Sequence, residues 1–148
     1  TKIVSLLIAP LTRRAIGDKA RVAVMRNEAQ GVMTAFAVFG STRVARAMLI
    51  QRPLWGDTIW EISSVETRPV FRNMGLAARL CRELLREAKR ISDCRAVLLV
   101  FPDNLPALRM YCRMGFARTR NVELEQCVAG QDIRGRRRIM LEYSSLQQ

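Results

Sequence analysis

The chain of 148 residues contains no histidine. Catalytic triads built on histidine and most zinc sites are therefore excluded, and we expect no bound metal. Cysteines are also few, and no two of them form a C-x-x-C pair. We interpret Cys81, Cys94, Cys112 and Cys127 as reduced core residues of a cytoplasmic protein, because isolated thiols are commonly buried in reducing compartments. A catalytic thiol at Cys112 would lack a histidine to activate it.

Long apolar runs are missing as well. The longest one near the amino terminus, residues 3–9, is far below the roughly 20 residues of a membrane span. It also lacks the basic flank and the cleavage site of a secretory signal, so we expect neither a membrane span nor a signal. Aromatic residues make up only 6% of the chain and are scattered. No ribonucleoprotein motif or recognition helix is present, which weighs against an RNA- or DNA-binding module.

Basic charge is what the chain has in excess. It carries 25 basic and 13 acidic residues, for a net charge of +12, and 22 of the basic residues are arginine. Such a field favours polyanionic partners such as nucleic acid, CoA phosphates or an acidic carrier protein. The alternative is solvated arginine on helix faces. With 49% hydrophobic residues, the length suits one folded domain over residues 1–148.

A strand is predicted at the centre of the chain. Residues 57–67 are rich in β-branched and aromatic side chains, and Pro69 follows them, where ladder pairing must stop. Side chains on a strand alternate between its two faces. One face of this strand is therefore expected to carry Ile59, Glu61, Ser63, Val65 and Thr67.

A helix is predicted after a glycine turn, over residues 76–91. Its apolar stripe consists of Leu76, Leu80, Leu84, Ala88 and Ile91. The basic residues Arg79, Arg82, Arg86 and Lys89 are expected mostly on the outward side. The first backbone NH groups of a helix have no partner within it, and Gly75 lets a ligand approach them. The turn is therefore a candidate anion site, although a lone glycine between strand and helix is often only a turn.

The remaining segments are mostly predicted to be strands. Strands are expected at residues 1–9, 20–26, 32–39, 94–101, 116–127 and 138–143, with residues 40–46 a strand or an irregular edge. A second helix is expected from Pro106 to Gly115, and residues 11–19 have room for two helical turns at most. Residues 134–138 are interpreted as a solvated turn, with a polyanion contact as the lesser alternative. Strand 58–67, helix 76–91 and strand 94–101 would form a βαβ crossover.

Two motifs in this order resemble the GCN5-related N-acetyltransferase (GNAT) superfamily. They are Arg72-x-x-Gly75-x-Ala77 and Asn104-x-x-Ala107-x-x-x-Tyr111-x-x-x-Gly115-Phe116. The resemblance implies an α/β fold with a GNAT-like mixed sheet that is splayed at its centre and flanked by helices. The family has two helices between its first two strands, whereas only residues 11–19 are available here. We therefore expect a shortened N-terminal helical region.

The resemblance also implies where an acyl-CoA would bind. Its pyrophosphate would lie on the loop formed by Arg72, Asn73, Met74, Gly75, Leu76 and Ala77. On the strand before the loop, Val65 and Thr67 are expected to contact the cofactor, and backbone NH groups near Ser64 and Val65 to polarise the thioester carbonyl. Asn104 would anchor the end of the next strand or contact the cofactor. Acetyl-CoA, or another acyl-CoA, is thus the expected co-substrate.

For catalysis, the resemblance places Tyr111 as the general acid for the leaving thiolate and Glu61 as a general base acting through a water. The alternatives are a buried core tyrosine and a structural carboxylate paired with an arginine such as Arg43. Glu66 is the rival base, on the opposite face of the strand unless a bulge intervenes. The predicted reaction is direct attack of an amine on an acyl thioester, after an alkylammonium with a pKa of about 10 has lost its proton.

A second, weaker resemblance concerns the acyl donor. Gly40-x-x-Arg43 and Trp60-Glu61-x-Ser63 are similar to segments of acyl-homoserine-lactone and N-acyl amino acid synthases, which take acyl groups from acidic acyl carrier protein. A basic surface would suit that partner. A carrier-protein donor is therefore one alternative, and a basic nucleic-acid-binding module is another. The expected acceptor is a small-molecule or protein amine, and an acceptor carried on RNA is also open.

Overall fold

The computed structural model describes residues 13–56, 59–91 and 95–144. The helices in these ranges are α1 (Arg13–Asp18), α2 (Leu76–Ile91), α3 (Leu105–Arg113) and α4 (Val122–Ala129). The strands are β1 (Arg21–Asn27), β2 (Val32–Phe39), β3 (Thr42–Gln51), β4 (Ile59–Thr67), β5 (Arg95–Val100), β6 (Ala117–Arg118) and β7 (Ile139–Ser144). The strand expected at residues 1–9 lies outside the described residues.

The strands form one mixed sheet in the order β1-β2-β3-β4-β5-β7-β6. Strands β1 to β4 pair antiparallel, β4 and β5 pair parallel, and β7 lies antiparallel between β5 and β6. The parallel pair is the one connected through α2, because parallel neighbours need a crossover connection. The predicted βαβ unit and the mixed sheet flanked by helices are confirmed.

Helix α2 covers what we call the first face of the sheet. Its buried residues are Leu76, Leu80, Cys81, Leu84 and Ala88. They share one core with apolar side chains of β2, β3 and β4, among them Ala35, Leu49 and Ile62. The predicted apolar stripe is confirmed except for Ile91, which is 52% exposed. Ile91 is the last residue of the helix.

The second face carries a smaller core. Ile59, Val97 and Met140 are buried there, and Leu124 and Val128 of α4 pack against them. These three strand residues come from β4, β5 and β7, so α4 lies over that half of the sheet, opposite the first face. The two cores lie on opposite sides of the sheet.

Helix α4 was not predicted. Residues 116–127 were expected to form a strand, but only Ala117–Arg118 is extended before the chain turns into the helix. Asn121 caps the helix, because its side-chain oxygen accepts a hydrogen bond from the backbone NH of Leu124 at 3.0 Å. Glu125 lies in the first turn, where the helix dipole favours negative charge. Capping and charge therefore outweigh the strand propensity of this segment.

Among the described residues, the helical region before β1 is short, as predicted, since α1 has only six residues. Arg79 of α2 connects α2 to this region by donating hydrogen bonds to the carbonyl oxygens of Gly17 at 3.2 Å and of Ala20 at 2.7 Å. The Gly17 carbonyl also accepts from the backbone NH of Ala20 at 3.1 Å, so the guanidinium adds a contact from α2 to the turn that ends α1. The expectation that Arg79 points outward was wrong.

Among the described helices, none is long and apolar enough to cross a membrane.

The cysteines differ in burial. Cys81 is buried in the first core, and desolvation by that burial raises the pKa of its thiol to about 12. Cys112 and Cys127 are exposed on short helices, so the prediction of core thiols was wrong for these two. Cys94 lies outside the described residues.

Candidate active site

The centre of the sheet opens between β4 and β5. The two strands pair only from Ile59 to Glu61 with Arg95 to Val97, and beyond Glu61 they separate. The gap is a cleft of about 280 Å³. Its lining comes from β4 and β5 themselves, together with residues of α3 and of the segment before β7. The predicted central splay of the sheet is therefore confirmed.

A bulge in β4 shapes one wall of this cleft. Ser63 pairs with Met48 and Glu66 pairs with Arg46, so Ser64 and Val65 together oppose a single residue of β3. Ser64 has a φ of 52°, which a residue with a side chain seldom adopts. The extra residue leaves backbone groups of the bulge outside the β3 ladder, on the side of the cleft.

The bulge also exchanges the two faces of the strand beyond it. Val65 packs against the first core. Simple alternation along the strand would instead place Val65 on the same face as Glu61. The expectation was therefore wrong for Val65 and Thr67, which follow the bulge. Glu66 is moved to the second face, the same face as Glu61, and pairs there with Arg46 at 3.0 Å. Its side chain is 68% exposed and lines a separate groove, so Glu66 does not reach the cleft.

Glu61 is a buried carboxylate at the closed end of the cleft. It is 8% exposed and lies on the second face, two residues after Ile59. One oxygen, Oε1, accepts hydrogen bonds from Nε of Arg52 at 3.1 Å and from Nη2 at 2.8 Å. The partner is thus Arg52 and not Arg43, whose guanidinium stacks on Phe36 at 4.1 Å. In the part of the chain that the structure describes, no group donates to Oε2, which leaves this oxygen for a water or an amine.

Tyr111 reaches the same cleft from the first face. It lies on α3, is 7% exposed and packs edge-on against Phe116, with ring centroids 5.7 Å apart. Its hydroxyl has no hydrogen-bond partner among residues 13–56, 59–91 and 95–144. Burial raises the pKa of the phenol above its ordinary value, so the group stays protonated and available as a donor. Glu61 and Tyr111 therefore line one cleft from its two sides.

The turn between β4 and α2 forms an open loop with two left-handed residues. Asn73 has a φ of 62° and Gly75 a φ of 77°. Met74 and Leu76 are 6% and 2% exposed, so their side chains belong to the core and only their backbone can face a ligand. Arg72 closes the loop by donating from Nε to the carbonyl oxygen of Thr67 at 3.2 Å. The helix that follows leaves its first NH groups at this loop, including that of Ala77.

Asn104 stands where β5 leads into α3. Its side-chain oxygen accepts a hydrogen bond from the backbone NH of Ala107 at 3.3 Å and caps the helix. Both residues also line the cleft. The cap fixes the first turn of the helix that carries Tyr111. The alternative that Asn104 anchors this junction agrees with the geometry.

Arg138 is a cleft residue that sequence reasoning missed. It was assigned to a solvated turn, yet it lines the cleft together with Glu61 and Tyr111. No local signal distinguishes it from the neighbouring Arg136 and Arg137, because its position depends on how β7 pairs with β5. The turn is also not simply solvated, as had been expected, because Arg136 forms an ion pair with Asp132 at 2.8 Å.

Known structures share this architecture. One is the IAA acetyltransferase from Bacillus cereus, which is 14% identical; the match covers 85% of this chain and 99% of that one, with a TM-score of 0.64. Another is a GNAT family acetyltransferase from Elizabethkingia anophelis with acetyl-CoA bound, at 14% identity, 86% and 99% coverage and a TM-score of 0.63. The PaiA N-acetyltransferase from Thermoplasma acidophilum, in complex with coenzyme A, is 16% identical, with 77% and 61% coverage and a TM-score of 0.59. At these identities the likeness shows the fold.

The sequence itself also carries the family signal. No curated protein matches the chain significantly. The sequence model of the Acetyltransferase (GNAT) family, however, matches residues 10–116, which include the loop before α2, both splayed strands and Tyr111. Helix α4, β7 and Arg138 lie beyond the matched range. The predicted fold and enzyme class are confirmed: the chain belongs to the acetyltransferase (GNAT) family.

Proposed function

We propose that this protein transfers an acetyl group, or another acyl group, from acyl-CoA to an amine by direct attack. The observation that carries the proposal is the shared cleft between β4 and β5, which is lined by both a buried carboxylate and a protonated phenol. One side of the cleft would receive the amine near Glu61, and the other would hold the thioester near Tyr111. No covalent enzyme intermediate is needed.

The donor would bind along the splay. Its pyrophosphate would rest on the loop from Arg72 to Ala77, where backbone NH groups and the positive end of α2 favour an anion. The pantetheine arm would follow β4 past Thr67 and Val65, and Asn104 would contact it from the β5 side. Similar folds crystallised with acetyl-CoA and with coenzyme A support an acyl-CoA as the donor.

The chemistry then needs two proton transfers. Glu61, acting through a water, accepts a proton from the alkylammonium, and the neutral amine attacks the thioester carbonyl. Backbone NH groups of the bulge at Ser64 and Val65 would stabilise the tetrahedral oxyanion. When the carbon–sulfur bond breaks, the Tyr111 hydroxyl donates its proton to the CoA thiolate. The products are an amide and free CoA.

Calorimetry with acetyl-CoA, a long-chain acyl-CoA and acyl carrier protein, and with RNA for comparison, each at low and moderate salt, tests the donor. We expect saturable micromolar binding of a CoA ester that survives moderate salt, because backbone NH groups and a shaped loop are screened less than surface charge. Binding to the carrier protein alone would move the donor to the synthase-like alternative. Binding that is lost with added salt, and is shared by RNA, would favour the nucleic-acid-binding role.

Glu61→Gln is expected to lower kcat/KM for amine acylation by about 10²-fold at neutral pH, the range of general base catalysis. The loss should shrink toward pH 10, where the free amine no longer needs a base. Glutamine keeps the size of the side chain, so the cleft keeps its shape. The pH profile of thiol release from acetyl-CoA measures both effects.

Glu66→Gln is the matched control for Glu61→Gln. It makes the same change on the same strand and the same face, outside the cleft, and should leave the pH profile as it is in the wild type. Equal rates for wild type and Glu61→Gln at neutral pH would assign Glu61 a structural role beside Arg52.

Gly17→Ala should weaken the donor loop. A Cβ at this position would lie 2.2 Å from the carbonyl oxygen of Met74, so α1 or the loop must move. We expect the free energy of unfolding to fall by about 1–3 kcal/mol and acetyl-CoA to bind more weakly. Thermal unfolding and calorimetry measure the two quantities.

Gly40→Ala is the control that separates a loss of stability from a loss of donor affinity. Gly40 has a φ of 59° and nothing within 4 Å of an added Cβ. Its variant should lose stability through backbone strain and still bind acetyl-CoA normally. Wild-type donor affinity in Gly17→Ala would show that α1 does not hold the loop in place.

A further inference from the structure

Arg138 is a half-buried cation without a partner among the residues that the structure describes. The ion pairs found in those ranges involve eight other arginines. Arg136, in the same turn, pairs with Asp132 and stacks on Phe101 at 4.4 Å. Arg138 instead lines the cleft. A half-buried guanidinium with no anion beside it in these ranges is available to bind one.

The strand pattern places Arg138 on the same side of the cleft as Glu61. Met140 belongs to the core of the second face, and Arg138 precedes it by two residues. Glu61 follows Ile59 of that core by two residues. Tyr111 belongs to the first face. The unpaired cation therefore lies on the side that would receive the amine, away from the thioester side.

The charges on this side indicate what kind of amine fits. Glu61 and Arg138 are the charged residues that line the cleft within the described ranges, and Glu61 is already neutralised by Arg52. A simple alkylammonium would thus approach a site with one uncompensated positive charge, which repels it. An amine that also carries an oxyanion arrives without net positive charge. Its oxyanion can accept two parallel hydrogen bonds from the guanidinium.

We propose that the acceptor is an amine that also carries an oxyanion, a carboxylate or a phosphate, and that Arg138 binds this group. The inference rests on the proposed acyl transfer, because it names the acceptor of that reaction. Arginine suits either group, since both present two oxygens to its planar fork.

The sheet register sets the spacing between the two groups. Glu61 lies opposite Val97, and Arg138 is one residue beyond Ile139, which lies opposite Val100. Glu61 and Arg138 are therefore offset by four positions, or about 13 Å, along β5. They also lie on opposite sides of β5, two strand spacings or about 10 Å apart, so their Cα atoms are about 16 Å from each other. The two side chains span part of this distance. The remaining gap favours an amine and an oxyanion separated by a short carbon chain.

Matched acceptor pairs test the proposal. The pairs are glycine and glycinamide, β-alanine and its amide, 4-aminobutyrate and its amide, and O-phosphoethanolamine and ethanolamine. With saturating acetyl-CoA, at least one anionic member should exceed its neutral partner in kcat/KM by about 10- to 100-fold, the effect of a hydrogen-bonded charge pair. In Arg138→Gln this ratio should fall by the same factor, and in Arg138→Lys by less. Amine basicity cancels in the comparison between variants.

Arg134→Gln is the control, because it removes the same charge from the same exposed turn outside the cleft. It should keep the wild-type ratio. Preference within the amino acid pairs would identify a carboxylate, and preference for O-phosphoethanolamine a phosphate. If acetyl-CoA binds saturably but no anionic acceptor exceeds its neutral partner, the inference is wrong and the acyltransferase proposal stands. If no CoA ester binds, the proposed function itself fails.

Discussion

Tyr111→Phe is expected to lower kcat by about 10²-fold or more while acetyl-CoA binds almost as well as to the wild type. The substitution removes only the hydroxyl oxygen, and the phenylalanine ring can keep the edge-on contact with Phe116 at 5.7 Å between centroids. The CoA thiolate would then have to leave without a proton donor beside it. Stopped-flow or steady-state thiol release, with calorimetry for donor affinity, separates the loss of chemistry from a loss of binding.

Tyr143→Phe is the matched control, because Tyr143 is the other tyrosine of the chain and also packs on Phe116, at 5.4 Å. It does not line the cleft, and its turnover should stay within about twofold of the wild type. An unchanged kcat in Tyr111→Phe would remove this hydroxyl from the mechanism.

The pH dependence gives an independent check on Tyr111. Burial raises the pKa of the phenol, so the folded protein keeps it protonated where an exposed tyrosine would begin to ionise, at a pH of about 10. The wild-type rate should therefore rise with pH as the amine loses its proton, without a fall near pH 10 caused by Tyr111. Because burial raises the pKa of Tyr111 in the folded protein, its hydroxyl loses its proton only at a pH above the ordinary tyrosine pKa of about 10. A decline in kcat centred near pH 10 would contradict this assignment.

The central βαβ unit could be predicted from the sequence because local signals agree there. β-branched residues before Pro69, a glycine at position 75 and leucines spaced by four residues all favour the same structure. Helix α4 was missed although its signals are also local: Asn121 at the cap and acidic residues in the first turn. The same residues also have strand propensity, so only the cap and the first-turn charges distinguish the helix.

The arrangement of the site depends on features that alternation cannot predict. The bulge at Ser64 adds one residue to β4 and thereby moves Val65 to the first face and Glu66 to the second. A period of two has no means of locating such an insertion. The partner of Glu61 is likewise set by tertiary structure, because Arg52 reaches it from the end of β3. Arg138 joins the cleft only through the pairing of β7 with β5, far from both motifs in sequence.

Gly75→Glu should abolish measurable acetyl-CoA binding. Gly75 is exposed at the loop before α2, and nothing lies within 4 Å of an added Cβ, so the new side chain would meet no protein atom. Its carboxylate would stand where the pyrophosphate is proposed to bind. Repulsion between two charges about 4 Å apart near a protein surface is on the order of 4 kcal/mol, or about a 10³-fold loss of affinity. Calorimetry with acetyl-CoA measures the change, and higher salt should recover part of it.

Two further variants separate charge from backbone strain in this prediction. Gly75 has a φ of 77°, and any side chain there is strained, so Gly75→Gln carries the strain and bulk without the charge. Gly40→Glu carries the charge and a similar strain, at a φ of 59°, in the turn between β2 and β3. If repulsion at the pyrophosphate is the cause, affinity falls far more in Gly75→Glu than in Gly75→Gln and stays normal in Gly40→Glu. Normal affinity in Gly75→Glu would mean that the donor phosphates bind elsewhere, and the turn before α2 would then be only a turn.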